Sequence, residues 1–346
     1  GDPTMYESYW RKIGNKCNIT FNGDDSLSYF AYGKSLCWLL ESKLEEPLKR
    51  LHNVVGNAIL DDHYIVVGTG SSQLVQAALY ALSPSDQLEP IGVVSATFFY
   101  SVHGYTAYPC VTDFVRSGLN KWAGEVTTFE KDEPYIELIT SPYNTNGIIR
   151  EHVVNGDQEK LIYDLAYYWP QYTSITSCAN HDVMLFTISK CTGHAGSRIG
   201  WALVKDKEVA RKMTKFMEIC TIVVSKEAQL RDAKILEVVS NSCLDFTLEN
   251  FLEYSQSLMI DRWKRLRQLL RADHGAADGP SSVSWLQASV YWFLAPPSTV
   301  HFTDRESHRG SSLGSRGLLA QDEEPIHDKS SRSQPVVGFL GSLSEH

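Results

Sequence analysis

The sequence predicts an α/β fold with a mainly parallel central sheet and helices on both faces. Short apolar runs recur before residue 190 and end in glycine or polar residues, which is typical of buried parallel strands. Helical stretches such as 73–82 lie between several of them, giving the strand–helix alternation of this class. The predicted strands are Tyr64–Gly68, Ile91–Ser95, Tyr135–Thr140, Leu161–Tyr163 and Val183–Thr187.

The pattern changes after a further apolar run at 201–204. Stretches 206–217, 225–239 and 252–270 alternate charged residues with spaced Leu, Ile, Val and Met, which predicts helices with one buried face. From Ala272 onward the chain holds 14 serines and one lysine, with little periodicity outside 284–294. This composition is typical of loop or disorder.

The composition excludes several classes of function. The 346 residues include 32 basic and 41 acidic side chains, so the net charge is −9, and no run of Lys or Arg offers a nucleic-acid surface. Seven cysteines without CxxC or Cys/His ligand spacing favour neither a disulfide framework nor a zinc site. No apolar run has the length of a membrane span, so we expect a cytoplasmic protein that acts on small molecules.

A lysine follows the last predicted strand in the stretch FTISKCTGHAGSRIG, residues 186–200. Burial at a strand end lowers the pKa of an amine, and such an amine forms an imine with an aldehyde cofactor. We therefore interpret Lys190 as a Schiff-base residue. The alternative is a surface lysine whose stem lies along the strand end.

Two glycine-containing turns are candidate phosphate sites. Arg198 follows the turn 193–197, which could bring a guanidinium and backbone N–H groups to an anion. The turn 68–73 joins a strand to a helix and contains Ser71, Ser72 and Gln73, so the helix N-terminus could face the same anion. The alternatives are a salt-bridge arginine and helix capping by Ser71 or Ser72.

Polar residues follow two more predicted strands. A carboxylate at Asp164 could keep a pyridine nitrogen protonated, which makes such a ring an electron sink. Tyr167 and Asn144 could reach the phenolic oxygen of the same ring. An N-cap, an aromatic core cluster and a plain turn are the respective alternatives for these three residues.

Five segments together resemble the plant alliinase and tryptophan aminotransferase family, within the fold-type-I pyridoxal-phosphate enzymes. They are GDPTMYESYWRK, IVVGTGSSQLVQAALYALS, YIELITSPYNTNGIIRE, DLAYYWPQYTSIT and SKCTGHAGSRIGWALVKDKEVARKM. The likeness extends from residue 1 to about Arg271, and its many ordered blocks make it specific. The resemblance implies a fold-type-I transferase with a large domain and a smaller, here incomplete, α/β domain.

The resemblance also implies pyridoxal 5′-phosphate as cofactor, a homodimer, and an amino acid such as L-tryptophan with a 2-oxo acid as substrates. It implies Lys190 as imine and proton shuttle, Asp164 on the pyridine nitrogen, and Tyr100 or its neighbour Phe99 stacked on the ring. The remaining implied contacts are Tyr167 and Asn144 on the phenolic oxygen, and Ser71, Ser72, Gln73, Thr187 and Arg198 around the phosphate.

On this basis we expect four parts of the chain. Residues 1–30 form an N-terminal segment at the small domain or dimer contact, and 31–240 form the large cofactor-binding domain. Residues 241–271 lead as a helix to the small domain, and 272–346 are a poorly ordered tail in place of its C-terminus. The family pattern is SPNNPDG where this chain has Tyr143 and Thr145, Pro where it has Phe98, and a small or aliphatic residue where it has Cys191.

The tail is the larger departure from the family. A small-domain strand of the pattern HVRVS or YVRLS carries the family's carboxylate-binding arginine, and no residues after Arg271 match it. A reading-frame shift or aberrant splice would explain the mismatch. Three interpretations therefore stand: an aminotransferase making indole-3-pyruvate for auxin, an alliinase-like C–S lyase, and a cofactor-binding protein with little activity.

Overall fold

The computed structural model describes residues 4–31, 35–84, 89–96, 101–102, 105–106, 119–129, 134–143, 147–153 and 159–273. Two of the predicted site residues, Tyr100 and Asn144, lie outside these ranges, as do Phe98, Phe99, Thr145 and the tail from residue 274.

A seven-stranded sheet forms the centre of the fold, and a separate sheet has two strands. The strands are β1 (Tyr64–Gly68), β2 (Ile91–Ser95), β3 (Ser101–Val102), β4 (Tyr105–Thr106), β5 (Asn120–Glu125), β6 (Tyr135–Thr140), β7 (Glu159–Asp164), β8 (Val183–Thr187) and β9 (Gly200–Val204). The order across the large sheet is β1-β9-β8-β7-β6-β2-β5, and β3 pairs with β4.

The large sheet is mainly parallel, as the sequence predicts. Strand β9 is antiparallel to both of its neighbours, β1 and β8, while β2, β5, β6, β7 and β8 pair in parallel. Because β1 and β8 are both antiparallel to β9, they run in the same direction. The carboxyl ends of β1, β6, β7 and β8 therefore lie at one edge of the sheet, where ligands of such sheets bind.

Seven α-helices surround the sheet in the described residues. They are α1 (Glu7–Ile13), α2 (Ser42–Val55), α3 (Gly70–Leu82), α4 (Ile188–Cys191), α5 (Lys207–Thr221), α6 (Lys226–Leu244) and α7 (Phe251–Asp273). Polar residues fix two of the starts: the Asp206 carboxylate accepts from the Val209 N–H at 2.7 Å, and the Ser225 hydroxyl accepts from the Ala228 N–H at 3.2 Å. Each satisfies a backbone donor of a first helical turn.

The core lies at the middle of the large sheet. Every residue of β6, β8 and β9 is buried, so both faces of the central strands are covered. The largest buried rings are Trp169 and Trp201, and the Trp201 ring stacks on Phe186 with centroids 5.9 Å apart. No helix of the described residues is long and apolar enough to cross a bilayer, and the six cysteines among them are free thiols.

The structure adds elements that the sequence pattern does not predict. Strand β5 carries exposed and charged residues because it is an edge strand, so it lacks the apolar run of the central strands. Helix α3 begins at Gly70, three residues before the predicted start. The span 241–271 contains the end of α6 and most of α7, separated by residues 245–250. The role of that span as the helix leading to a small domain stays a prediction.

Candidate active site

Lys190 lies in a one-turn helix at the carboxyl end of β8. The strand ends at Thr187, and α4 begins with the next residue. The Thr187 hydroxyl accepts from the Ser189 N–H at 3.3 Å, which caps the helix. The Lys190 amine is 5.1 Å from the centroid of the Tyr167 ring. The strand-end position predicted for this lysine is therefore the one it occupies.

Burial and two charged neighbours set the protonation of Lys190. Burial lowers its pKa from 10.5 to about 8, the Asp164 carboxylate acts in the opposite direction, and the Arg198 guanidinium adds to the lowering. Both charges therefore act on the amine, so the structure brings together residues from three separate segments. An amine with a pKa of about 8 has a larger neutral fraction near neutral pH than an ordinary lysine, which suits it to attack a carbonyl group.

Asp164 is the last residue of β7 and is 7% exposed. Its carboxylate accepts from the Ala166 N–H at 3.1 Å, so it also shapes the turn that follows the strand. That turn brings Tyr167, likewise 7% exposed, over the lysine and edge-on to Tyr172 at 4.9 Å between centroids. Asp164 and Tyr167 thus both act on the Lys190 amine: the carboxylate raises its pKa, and the ring centroid lies 5.1 Å from it.

Two glycines bring the N-terminus of α3 against the turn after the lysine. Gly70 has φ +77°, and a Cβ there would be 2.6 Å from Nη2 of Arg198. A Cβ on Gly200 would be 2.8 Å from the backbone nitrogen of Ser71. Both positions therefore require glycine for close approach. The result is a corner in which a guanidinium lies beside a helix N-terminus, an arrangement that binds anions.

The first turn of α3 holds the other predicted phosphate residues. Thr69 is at the N-cap position and its side chain makes no capping hydrogen bond, while the Gln73 side-chain oxygen accepts from the Thr69 N–H at 2.7 Å. Ser71 and Ser72 are inside the first turn, so neither is the N-cap, contrary to the capping alternative. Ser71 is half-buried and Ser72 is exposed. Both hydroxyls are placed beside the helix N-terminus.

Thr187 is 3% exposed and its hydroxyl serves local structure. It donates to the Ile199 carbonyl at 3.2 Å and lies 3.2 Å from the Ser189 hydroxyl. These bonds join the end of β8 to the residue before β9. Ser189, which no sequence pattern indicates, is buried and lies in the chain between the lysine and this strand end. Its position directly before Lys190 is the only sequence signal for it.

The segment after β6 departs from the family pattern at Tyr143, and the structure gives that residue a partner. The Arg150 guanidinium carbon lies 3.3 Å from the centroid of the Tyr143 ring, and the Gly147 N–H donates to the Tyr143 carbonyl at 2.8 Å. These contacts hold Tyr143 close to Gly147 and Arg150. The predicted roles of Asn144 and Tyr100 stay predictions, because both lie outside the described residues.

Three further side chains, which the sequence pattern does not predict, hold the backbone around the lysine. Tyr172 donates to the Lys190 carbonyl at 3.2 Å, Gln171 donates to the Cys191 carbonyl at 2.8 Å, and Trp10 donates to the Thr192 carbonyl at 3.0 Å. Gln171 and Tyr172 follow Tyr167 closely, which is a weak signal. Trp10 lies 182 residues from its partner.

Comparison with known proteins identifies the family. Residues 1–277 match the alliinase C-terminal family, described as allinase. The chain is 57% identical over 268 residues to tryptophan aminotransferase-related protein 2 of Arabidopsis thaliana, covering 78% of this chain and 60% of that protein. It is 49% identical over 356 residues to the protein of the same name from Oryza sativa subsp. japonica, covering 98% of this chain and 64% of that protein.

More distant matches lie outside the aminotransferase-related proteins. Alliin lyase of Allium cepa var. aggregatum is 35% identical over 275 residues, covering 78% of this chain and 60% of the lyase. Among solved structures, a Thermus thermophilus aspartate aminotransferase double mutant superposes with a TM-score of 0.51 at 15% identity, over 78% of this chain and 68% of that one. This likeness shows the fold. The chain spans about three fifths of the length of the relatives it matches.

The cofactor of this family and fold type is pyridoxal 5′-phosphate, and the described residues fit it. The fit rests on a buried amine with a lowered pKa, a carboxylate beside it, and an anion-binding corner opened by Gly70 and Gly200. The match over residues 1–277, with the identities above, shows that the chain belongs to the alliinase family of pyridoxal-phosphate-dependent enzymes.

Proposed function

We propose that this protein is an aminotransferase that converts L-tryptophan and a 2-oxo acid such as pyruvate to indole-3-pyruvate and the matching amino acid, in auxin biosynthesis. The supporting observation is Lys190, a buried amine with a pKa of about 8 that is acted on by the charges of Asp164 and Arg198. Transamination needs one base to move a proton from the substrate α-carbon to C4′ of the cofactor, and such an amine is suited to it. The names of two relatives, both tryptophan aminotransferase-related proteins, support tryptophan as the substrate.

Each residue of the site has a role in this proposal. When bound, the cofactor would supply an aldehyde for the amine groups and an electron-withdrawing ring. Lys190 would bind the aldehyde and move the proton, and Asp164 would accept a hydrogen bond from the protonated pyridine nitrogen. Ser71, Ser72, Gln73, Thr187 and Arg198 would hold the phosphate, Tyr167 and Asn144 would donate to the phenolic oxygen, and Tyr100 would stack on the ring.

We further propose a homodimer. Several large apolar side chains are exposed near Lys226, whose amine donates to the Phe30 carbonyl at 2.9 Å. Tyr29 is 51% and Phe30 is 49% exposed, and Ile222, four residues before Lys226, is 60% exposed. Apolar side chains of this size are typical of a surface covered by another subunit. Light scattering should give twice the mass of one chain.

The alternative is an alliinase-like C–S lyase, which the 35% identity to alliin lyase favours. A lyase uses the same lysine to remove the α-proton but expels a sulfur group from the β-carbon. The products separate the two reactions. A lyase releases pyruvate and ammonia from an S-alkyl cysteine sulfoxide, whereas an aminotransferase forms indole-3-pyruvate from tryptophan only when a 2-oxo acid is present.

The experiment that tests the proposal combines product analysis with cofactor mapping. The full chain is incubated with pyridoxal phosphate, reduced with borohydride and digested, and the pyridoxyl mass is located. We expect it on Lys190, with Lys205 at the surface end of β9 as the matched control. Indole-3-pyruvate should appear with tryptophan and pyruvate together. A label on Lys205, or lyase products alone, would reject the assignment.

The third interpretation, binding with little activity, depends on residues after 273, which lie outside the described part of the chain. Replacing 272–346 by a family C-terminus that carries the arginine strand should raise tryptophan transamination by orders of magnitude, because a bidentate contact to the substrate carboxylate is gained. Equal rates for both chains would mean that Arg305, Arg309, Arg316 or Arg332 supplies that contact.

A further inference from the structure

Helix α4, which carries Lys190, is too short to hold its own direction. It spans four residues, Ile188–Cys191, and its internal hydrogen bonding is limited to a single turn, with the Thr192 N–H donating to the Ile188 carbonyl at 3.0 Å. A single turn is unstable by itself, because ordering its residues costs more than one hydrogen bond returns. The carbonyls at its C-terminal end also need donors from elsewhere.

Side chains from two distant segments supply those donors to three consecutive carbonyls. The Lys190 carbonyl accepts from the Tyr172 hydroxyl at 3.2 Å and from the Gln171 amide at 3.3 Å. The Cys191 carbonyl accepts from the same Gln171 amide at 2.8 Å. The Thr192 carbonyl accepts from the Trp10 indole N–H at 3.0 Å.

The N-terminal segment contacts the residues that follow Lys190 and also Tyr172, one of the donors to the Lys190 carbonyl. The Trp10 ring meets the His194 ring edge-on with centroids 4.6 Å apart, and His194 Nδ1 lies 2.8 Å from the Thr192 hydroxyl. The Tyr6 hydroxyl donates to the Tyr172 hydroxyl at 3.2 Å, and Tyr172 in turn donates to the lysine carbonyl. Trp10 therefore bonds directly to the lysine turn, residues 188–192, and Tyr6 is linked to it through Tyr172.

The N-terminal segment is itself held by the start of α7. The Trp10 ring packs on Phe251 with centroids 5.1 Å apart, and the Tyr9 hydroxyl donates to the Glu249 carbonyl at 2.9 Å. Trp10 thus has a fixed packing partner on one side and donates to the lysine turn on the other. Tyr9, its neighbour in the chain, makes a bond of the same kind that does not touch the lysine turn.

We propose that Trp10 and Tyr172 are positioning residues for the reactive lysine: they hold the carbonyl end of α4 and so fix the direction of the Lys190 amine. Without these donors the single turn frays, and the amine moves away from Asp164 and Arg198 toward water. Exposure to water restores the ordinary protonation of a lysine, because the desolvation of the ammonium is relieved. This inference rests on the proposed role of Lys190.

The test measures the protonation of Lys190 in the full chain prepared without cofactor. Competitive labelling with acetic anhydride at a series of pH values, followed by peptide mapping, gives the midpoint at which the lysine becomes reactive. The unchanged chain should have a midpoint near 8. Trp10→Phe keeps a ring and removes the N–H, and Tyr172→Phe removes one hydroxyl. Each should raise the midpoint toward 10.5 by about one unit, a tenfold loss of neutral amine at pH 7.

Tyr9→Phe is the matched control, since it removes a side-chain-to-carbonyl bond from the same helix, and its midpoint should not change. The proposal is overturned if Tyr9→Phe shifts the midpoint as much as Trp10→Phe, or if neither Trp10→Phe nor Tyr172→Phe shifts it. Should Trp10→Phe fail to fold, Tyr172→Phe decides. Because the labelling needs no cofactor, its result is independent of whether Lys190 binds pyridoxal phosphate.

Discussion

Two buried basic side chains of this protein differ in what surrounds them. His52 is fully buried, and burial lowers its pKa to about 4, with the Asn57 hydrogen bond acting in the opposite direction. Burial likewise lowers the pKa of Lys190, to about 8, but Asp164 and Arg198 add their charges there. One group is surrounded by neutral partners and the other by charges.

The neutral partners of His52 are joined to it in a linear series of hydrogen bonds. The Trp201 indole N–H donates to His52 Nε2 at 2.9 Å, so Nδ1 carries the proton and donates to the Asn57 side-chain oxygen at 2.7 Å. The Asn57 amide then donates to the Tyr168 carbonyl at 2.7 Å. Every polar atom of the ring is satisfied in its neutral form. Such a network stabilises one packing of the core and leaves no group free for chemistry.

The comparison teaches that a lowered pKa alone does not identify a reactive group. Burial gives both residues their shift. Only Lys190 lies at a carboxyl end of the sheet, beside an anion-binding corner and within the field of a carboxylate. Changes at Lys190 should therefore alter reactivity, and changes at His52 should alter stability.

The largest effect is expected from Lys190→Ala. Removing the amine removes both the bond to the cofactor aldehyde and the base that moves the proton, so the rate of transamination should fall by about 10³-fold or more. The measurement is indole-3-pyruvate formation under saturating tryptophan and pyruvate. Lys205→Ala is the control and should retain its rate. An active Lys190→Ala would place the chemistry at another amine.

Asp164→Asn should have the next largest effect, about a hundredfold loss of rate, because a neutral amide no longer stabilises a protonated ring nitrogen. It should also lower the pKa of Lys190 below 8, since the carboxylate now raises it. Labelling of Lys190 against pH measures that shift. A full rate together with an unchanged midpoint would show that Asp164 only shapes the turn through its bond to the Ala166 N–H.

His52→Ala should leave Lys190 unaffected and destabilise the fold. It strands the Trp201 N–H and the Asn57 oxygen in the core and opens a cavity, which should lower the free energy of unfolding by about 3 kcal/mol. Urea denaturation measures this change. The half-buried His63, bonded to the Asp61 and His181 carbonyls, is the control, and His63→Ala should cost less than about 1 kcal/mol. If His52→Ala altered the pH midpoint of Lys190 labelling, the two regions would not be independent.

These regions also differ in how far the sequence predicts them. The strand ends that carry Asp164 and Lys190 follow apolar runs, and apolar runs reveal buried strands, so the meeting of the two residues could be predicted. The partners of His52 could not, because Trp201 lies 149 residues away and neither the tautomer nor the hydrogen bond leaves a local pattern. The same holds for Trp10 and Thr192. Strand β5 was not predicted, because its edge position permits charged residues and it therefore lacks an apolar run.

A fall in pH should also distinguish the two regions, through a change in the free energy of unfolding that is smaller than the effect of His52→Ala. Because the folded-state pKa of His52 is depressed to about 4 from 6.5, the unfolded chain binds its proton first as the pH falls. The stabilising contribution of neutral His52 is complete above pH 6.5, declines between 6.5 and 4, and declines no further below 4. Linkage gives about 2 kcal/mol lost between pH 7 and pH 5.

Urea denaturation of the unchanged chain and of His52→Ala at those two pH values isolates the contribution of His52 protonation to the free energy of unfolding. His194, whose pKa burial also lowers to about 4, contributes in both chains with the same sign and cancels in the difference. The unchanged chain should therefore lose about 2 kcal/mol more than the variant on going from pH 7 to pH 5. Equal losses would mean that His52 is protonated in the fold at pH 5. The hydrogen-bond network from Trp201 to Tyr168 would then contain a charged imidazole. His52 and Lys190 would no longer differ in whether charge is present in their surroundings.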